Sequence, residues 1–413
     1  MLTKSVNPIL VEQYADMHAV DFRRRRLLLE SYEHDLDNLY QWDMRLLNYM
    51  RGLELLSDYA ESYLQEQLLS PLSVGDVFTI ALFSVRTKNN LLLEGCLTLT
   101  QAIPHLIPAI KSLVEWAPIE SILWQQLNNY PYFKALAVYL RPEVSQLSPL
   151  TENDITYLYD KAETASLLIY ALFYQKHPDA HDITNALLAT ENVSIKMAIV
   201  DVVLRHHLPV NIKKEEVLFP LMYSSTSDVA FKATRLFTLY THYSAAEYQT
   251  VVTPDKIDRR IYIQALGWSG YTSNIPLLIE YLDGSEYARL SAASMTTITG
   301  SLPIKCGWNE KNVERFIAPV AVSSVSPDDD PDISLTWPDK SAFLHWWQQN
   351  AGRFDTNGTY LDGVPAHNDG LSSVLRYGSL ILRRLAAERL QYQQSPLTLN
   401  TDAPAFSQIT QRV

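Results

Sequence analysis

One short figure is written several times along this chain, and it limits the folds open to it. Four segments align under one another: ENVSIKMAIVDVV (191–203), TSDVAFKATRLF (226–237), DKIDRRIYIQALG (255–267) and SEYARLSAASM (285–295). Each opens on a polar, turn-like start, then carries a basic residue and a run of small and apolar residues at helical spacing. The basic residues are Lys196, Lys232, Arg260 and Arg289, and the figure recurs upstream around Lys134 and, more weakly, around Lys161. Successive basic residues lie 27, 35, 36, 28 and 29 positions apart. A fixed-order motif at that interval predicts a stack of helical pairs. Each motif helix has its own apolar face, for example Ile195, Ile199, Val202 and Val203, or Ile261, Ala265, Leu266 and Trp268. A preceding helix supplies the other half: Ile183, Leu187 and Leu188; Val217, Leu218, Leu221 and Met222; Ile275, Leu278, Ile279 and Leu282. No single pair buries both faces, whereas stacking does.

Composition narrows the class further. Apolar residues make up 47% and charged residues 19% of the 413, so the chain folds rather than staying disordered. The formal net charge of −12 disfavours a general nucleic-acid binder, which needs a basic surface, and leaves room for an acidic face that meets a basic partner. Two cysteines, Cys96 and Cys306, make neither a disulfide framework nor a metal-ligand set, and two reduced thiols fit the cytoplasm. The first residues carry Glu12 and Asp16 and lack the apolar core of a signal peptide. The longest apolar stretch, 97–110, is broken by Gln101, Pro104, His105 and Pro108, which argues against a membrane span.

Along the chain, three regions are expected: an N-terminal helical unit over 1–118, a repeat array over 119–303, and a loop plus helical cap over 304–413. In the first, Arg23, Arg24, Arg25 and Arg26 read as a solvated helix face, and 35–69 carries one apolar stripe from Leu36 to Leu56. Prolines and the acidic run Asp328, Asp329, Asp330 and Asp332 mark 303–340 as a linker or surface loop. Trp346 and Trp347 then fit a capping helix anchored by its aromatics, and Asn357-Gly358 signals a turn. Residues 370–391 read as one amphipathic helix, with Arg376, Arg383, Arg384 and Arg389 largely off its apolar side. The tail after it is polar and proline-broken.

His206 and His207 are adjacent, so on a helix they diverge and do not chelate together. No HExxH, CxxC, GxSxG or phosphate-loop spacing occurs. The acidic run lacks the glycine and terminal glutamate of a calcium loop, so it reads as a solvated charge run. Trp337, Trp346 and Trp347 fit either an aromatic recognition surface or core anchors. The recurrent basic residue fits structure better than an anion-binding ladder, bonding helix C-terminal carbonyls or acidic residues of the adjacent repeat.

At the C-terminal segment the sequence becomes specific. PDDDPDISLTWPD (327–339), WW (Trp346, Trp347), RF (Arg353, Phe354), YLDG (360–363) and VLRYGSLILRRLAAERL (374–390) occur in that order. Together they resemble a family of bacterial HEAT-like repeat proteins commonly encoded among type VI secretion genes, near spike proteins and effectors. MTTITG (295–300) resembles that family's last repeat and DMRLLNYMRGL (43–53) its first block, while 305–326 departs from its pattern. The resemblance implies an all-α fold, an α-solenoid of short HEAT-like repeats, and a secretion-linked role without a catalytic set or cofactor. The expected function is that of a cytoplasmic immunity protein that binds and neutralises a cognate effector toxin. An adaptor that loads an effector onto the spike is the alternative, and a lyase-like enzyme a more distant one. The expected partner is a protein encoded nearby, rather than nucleic acid or a membrane. A net charge of −12 complements a basic toxin, which makes Asp328, Asp329, Asp330, Asp332 and Trp337 the candidate partner-binding residues.

Overall fold

The computed structural model describes residues 8–147, 149–283, 286–311, 330–393 and 399–410. Helix dominates, with 23 α-helices and one two-stranded hairpin among the described residues, as an all-α chain requires. Contacts divide the chain into two compact units: 1–30, 34–203 and 400–413 in the first, 31–33 and 204–399 in the second.

Unit 1 holds α1 (Pro8–Leu28), α2 (Leu36–Leu55), α3 (Ser57–Gln67), α4 (Val74–Thr87), α5 (Asn90–Ala102), α6 (Ile107–Trp116) and α7 (Leu123–Gln126). There follow α8 (Pro131–Leu140), α9 (Glu152–Tyr159), α10 (Ala162–Tyr174), α11 (Ala180–Leu188) and α12 (Val193–Arg205), with the division falling in the last turn of α12. α4 packs on α1 and on α6, α6 on α8, and α8 on α10. The packing therefore runs through position 118 without a break, and the expected boundary there does not coincide with the observed division. Nine successive residues of α4, 77–85, are buried, so this helix is enclosed all round and central. Its start is fixed by a capping box in which the Ser73 hydroxyl accepts from Asp76 N–H and the Asp76 carboxylate accepts from Ser73 N–H. An aromatic column runs through the core: Phe22 stacks on Phe78 at 3.9 Å, and Phe78 meets Trp116 edge-on at 5.6 Å.

One sequence expectation fails in unit 1. Arg25 is 1% exposed, not part of a solvated face, because it pairs with buried Asp43. Residues 400–410, read as a polar and proline-broken tail, are partly packed into the unit. They carry Ala405, fully buried, and Phe406, whose ring meets Trp116 edge-on at 5.8 Å.

Unit 2 holds α13 (Lys214–Met222), α14 (Ser227–Tyr240), α15 (Ala245–Val251), α16 (Arg259–Ser269), α17 (Ile275–Ile279), α18 (Ala288–Thr299) and α19 (Pro303–Cys306). Then come α20 (Lys340–Asn350), strands β1 (Tyr360–Leu361) and β2 (Val364–Pro365), α21 (Asn368–Tyr377) and α22 (Leu380–Gln393). The order is completed in unit 1 by α23 (Ala405–Thr410). α13 pairs with α14 and α17 with α18, while α14 packs on α16 and α16 on α18. α15 has no counterpart in the sequence reading. It is short, and its single core side chain, Tyr248, is fully buried and donates its hydroxyl to the Ala265 carbonyl.

The region read as one amphipathic helix is two, α21 and α22, separated at Gly378. Its arginines also depart from expectation: Arg383 and Arg389 are 3% and 5% exposed. The stretch read as a linker or surface loop is anchored at several of its described residues. Trp308 is fully buried against Phe343 of α20, rings 5.0 Å apart, and Asp332 is 2% exposed.

Candidate functional site

Of the residues nominated by the sequence, Asp330, Asp332 and Trp337 fall on the segment 330–339, which lies along the starts of α16 and α18. Arg260, in the first turn of α16, makes a forked pair with Asp332 through Nη1 and Nη2, at 2.9 and 2.6 Å. Arg289, at the start of α18, donates through Nη2 to both oxygens of Asp330, at 2.9 and 2.7 Å. Its Nη1 donates to the Asp332 carbonyl at 2.8 Å, and its guanidinium lies 4.6 Å from the Trp337 ring centre. Two equivalent repeat positions thus grip two acids and an indole of one strap. Burial raises the Asp330 carboxyl, but Arg289 and the Asp332 N–H outweigh it and hold it below the usual carboxylate range. Forked arginine–carboxylate pairs are the stronger kind of ion pair, and Asp332 is desolvated on the protein side. Asp328 and Asp329 lie outside the described residues. The acidic run is therefore not a solvated charge run where it is described. Asp330 and Asp332 are occupied within the molecule, and Ile333, 61% exposed, is a large apolar side chain that the strap offers outward.

The basic positions of the repeats do not form one ladder. Lys134 is buried and donates to Asp154 at 2.9 Å, an acid that also closes the capping box of α9. Lys232 pairs with Asp228 of its own helix, both well exposed. Lys161 lies 5.5 Å from the Tyr157 ring. Position in the motif is shared, but the partner depends on which acid the neighbouring chain brings.

The other ends of α16 and α18 are closed by the hairpin. Both helices stop at a glycine in the left-handed region, Gly270 with φ 78° and Gly300 with φ 68°. Asp362 (φ 55°) and Gly363 (φ 75°) form the turn between β1 and β2, a two-residue connection of the type that fits strand twist. Their N–H groups donate to the Thr297 and Ile298 carbonyls, and the Tyr360 N–H donates to the Gly270 carbonyl. The YLDG motif is therefore a cap for two consecutive helix C-termini. Burial pushes the Asp362 carboxyl up to about 6.

A second feature escaped the sequence. Unit 2 contains a cavity of about 600 Å³ beside the C-terminal ends of α14 and α22. Its floor is made of buried Thr238, Leu239, Ser269, Tyr271 and Arg389, and its rim of exposed His242, Ser244, Ala246, Asn357 and Gln393. Arg389 donates through Nη2 to the Trp268 carbonyl, while its Nε is buried without a hydrogen-bond partner. Burial pushes its guanidinium down to about 10, which leaves it charged at neutral pH. The signal was present at Leu382, Leu385, Ala386 and Arg389, which share one helical face. Reading arginine as a surface residue hid it.

Among the described residues, no group of three or more His, Cys, Asp or Glu side chains is placed to hold a metal. No helix of the described residues is long and apolar enough to cross a membrane. No protein-family model, curated protein or solved structure matches the chain.

Proposed function

We propose that the chain is a non-catalytic binding protein built as an α-solenoid of short HEAT-like repeats, and that its partner is a protein. On the resemblance of its C-terminal segment, the partner is an effector toxin of a type VI secretion system, which the chain binds and neutralises as a cytoplasmic immunity protein. The observation that supports this reading is the fixing of both ends of two consecutive motif helices. Arg260 and Arg289 hold the strap across the starts of α16 and α18, and the 360–363 turn closes their ends. Side chains held on a rigid helical frame bind a partner at lower entropic cost than mobile ones. In this reading Asp330, Asp332 and Trp337 present the strap, and Ile333 with its neighbours meets the partner.

Co-expression tests it. The chain should rescue cells from the toxin encoded beside it and co-purify with that toxin, and Ile333→Asp should weaken both. Failure of rescue together with failure of co-purification sinks the reading. Co-purification without rescue, with loss of effector delivery on deletion, would replace it by the adaptor role.

A further inference from the structure

Arg389 is a buried cation in a cavity, and the described residues give it no carboxylate. Its one hydrogen bond runs to the Trp268 carbonyl, and the charged side chain next to it, Glu388, is engaged by Arg235 at 2.7 Å. Leaving a cation in the interior without a counter-charge is expensive, and proteins seldom retain one except where something else supplies the negative charge. The surroundings fit such a supplier. The hydroxyls of Thr238 and Tyr248 are 2.9 Å apart, and Tyr248 OH bonds the Ala265 carbonyl, so the polar groups under the cavity are already satisfied within the protein. Ser269 Oγ donates to the Leu266 carbonyl and accepts from Asn274. What remains facing the space is a guanidinium and, around the mouth, the polar side chains of His242, Asn357, Thr359 and Gln393.

Among the described residues, no acidic side chain lines this cavity. Its volume falls in the range of small-molecule sites, about 300–1,000 Å³, and a charged anchor on the floor with polar groups around the mouth is how such sites orient a ligand. A guanidinium with free donors is matched to the oxygens of a carboxylate or phosphate. We infer that this cavity binds a small hydroxylated organic anion, with its carboxylate or phosphate group on Arg389 and its hydroxyls toward the rim. The inference stands apart from the protein-partner reading, since the floor of the cavity is within unit 2 and buried.

The test uses the full chain and three probes: citrate, a hexose 6-phosphate and inorganic phosphate, followed by calorimetric titration. Two variants accompany the wild type. Arg389→Met removes the anchor, and Ala246→Trp fills the exposed mouth without touching the floor. At least one of the two organic anions should bind the wild type, and each variant should weaken it by about tenfold or more. A response to citrate alone assigns a carboxylate, and to the hexose 6-phosphate alone a phosphate ester. If Arg389→Met does not fold, Ala246→Trp carries the test by itself. The inference is overturned if neither organic anion binds the wild type, if inorganic phosphate alone binds, or if folded Ala246→Trp binds as the wild type does.

Discussion

Arg25 and Asp43 form a buried ion pair that residues 402–405 complete from outside their own helices. Arg25 Nε donates to Asp43 Oδ1 at 2.5 Å, and its Nη2 donates to the carbonyls of Asp402 and Ala403 at 3.1 Å each. The Ala405 N–H donates to Asp43 Oδ2 at 2.7 Å. Both side chains are at most 1% exposed. Breaking a buried pair by removing one partner leaves an uncompensated charge and costs about 3–5 kcal/mol. Arg25→Met and Asp43→Asn should each lower unit 1 stability by about that much in urea unfolding. Each should also speed proteolytic removal of 400–410. Unchanged trimming in both variants would mean that the tail is held by Phe406 and Ala405 alone.

The strap pair and an exposed pair of the same repeat family should differ in energy. Arg260–Asp332 is forked and has one partner nearly buried, whereas Lys232 and Asp228 are 59% and 68% exposed. Double-mutant cycles to alanine should give a coupling of about 1–2 kcal/mol for the first and under about 0.5 kcal/mol for the second. Equal couplings would remove the strap's claim to be clamped by charge.

Gly300 and Gly307 share the left-handed conformation, with φ 68° and 77°, but not their surroundings. A Cβ at Gly300 would lie 2.6 Å from the Asp362 carbonyl oxygen, and one at Gly307 would meet nothing within 4 Å. Gly307→Ala should cost only the conformational penalty, about 1 kcal/mol, and Gly300→Ala clearly more, about 2–4 kcal/mol, because the hairpin must shift off α18. Comparison of the two urea midpoints checks this.

His18 should give unit 1 an acid-sensitive stability. Its ring is fully buried, bonds Thr79 through Nδ1 at 2.7 Å, and is pushed down to about 3 by burial. The unfolded chain takes up the proton below about pH 6.5 while the folded chain does not. Stability is therefore present above that pH and is lost as pH falls, by about 2 kcal/mol at pH 5. His18→Phe, which keeps a ring beside Phe78, should flatten the unit 1 profile between pH 5 and 7 as measured by urea unfolding.

Asp362 should act in the opposite sense. Its carboxyl titrates near 6 when folded and near 3.8 when unfolded, so the folded chain holds the proton longer. Its contribution is complete below the unfolded value and is lost as pH rises through about 6. Asparagine also tolerates the left-handed region, so Asp362→Asn keeps the turn and removes the charge. The variant should be more stable than wild type at pH 7.5, by about 1–2 kcal/mol after allowance for its partial exposure, and equal to it near pH 4.

Legibility differed sharply between helices and what binds them together. Helices α8, α10, α12, α14, α16 and α18 were readable because each repeats a 3.6-residue apolar period over ten or more residues. α15, with seven residues and one buried tyrosine, offers no period to detect. The YLDG turn was visible as a motif, but its role was not, since the carbonyls it caps, those of Gly270, Thr297 and Ile298, lie far earlier along the chain. Arg260 and Arg289 were read as structural basic residues, and both do bond acids, whereas Arg25 and Arg389 read as surface charges. Burial of an arginine depends on which partner long-range folding brings, and local sequence does not encode that partner. The acidic strap shows the same limit from the other side: its run of aspartates looks solvated until Arg260 and Arg289 are placed against it.

Membership of 400–410 in unit 1 sets an order of events during synthesis. Helices α1 to α12 are complete on the ribosome long before Ala405 is made, because nearly all of unit 2 lies between. At 5–20 residues per second that interval is roughly 10–40 s. Throughout it, one edge of the Arg25–Asp43 pair and one face of Trp116 wait without the segment that covers them. The nascent chain thus carries a temporary opening at the heart of its first unit. A chaperone that recognises an aromatic beside an unfinished charge pair would have that time to engage it.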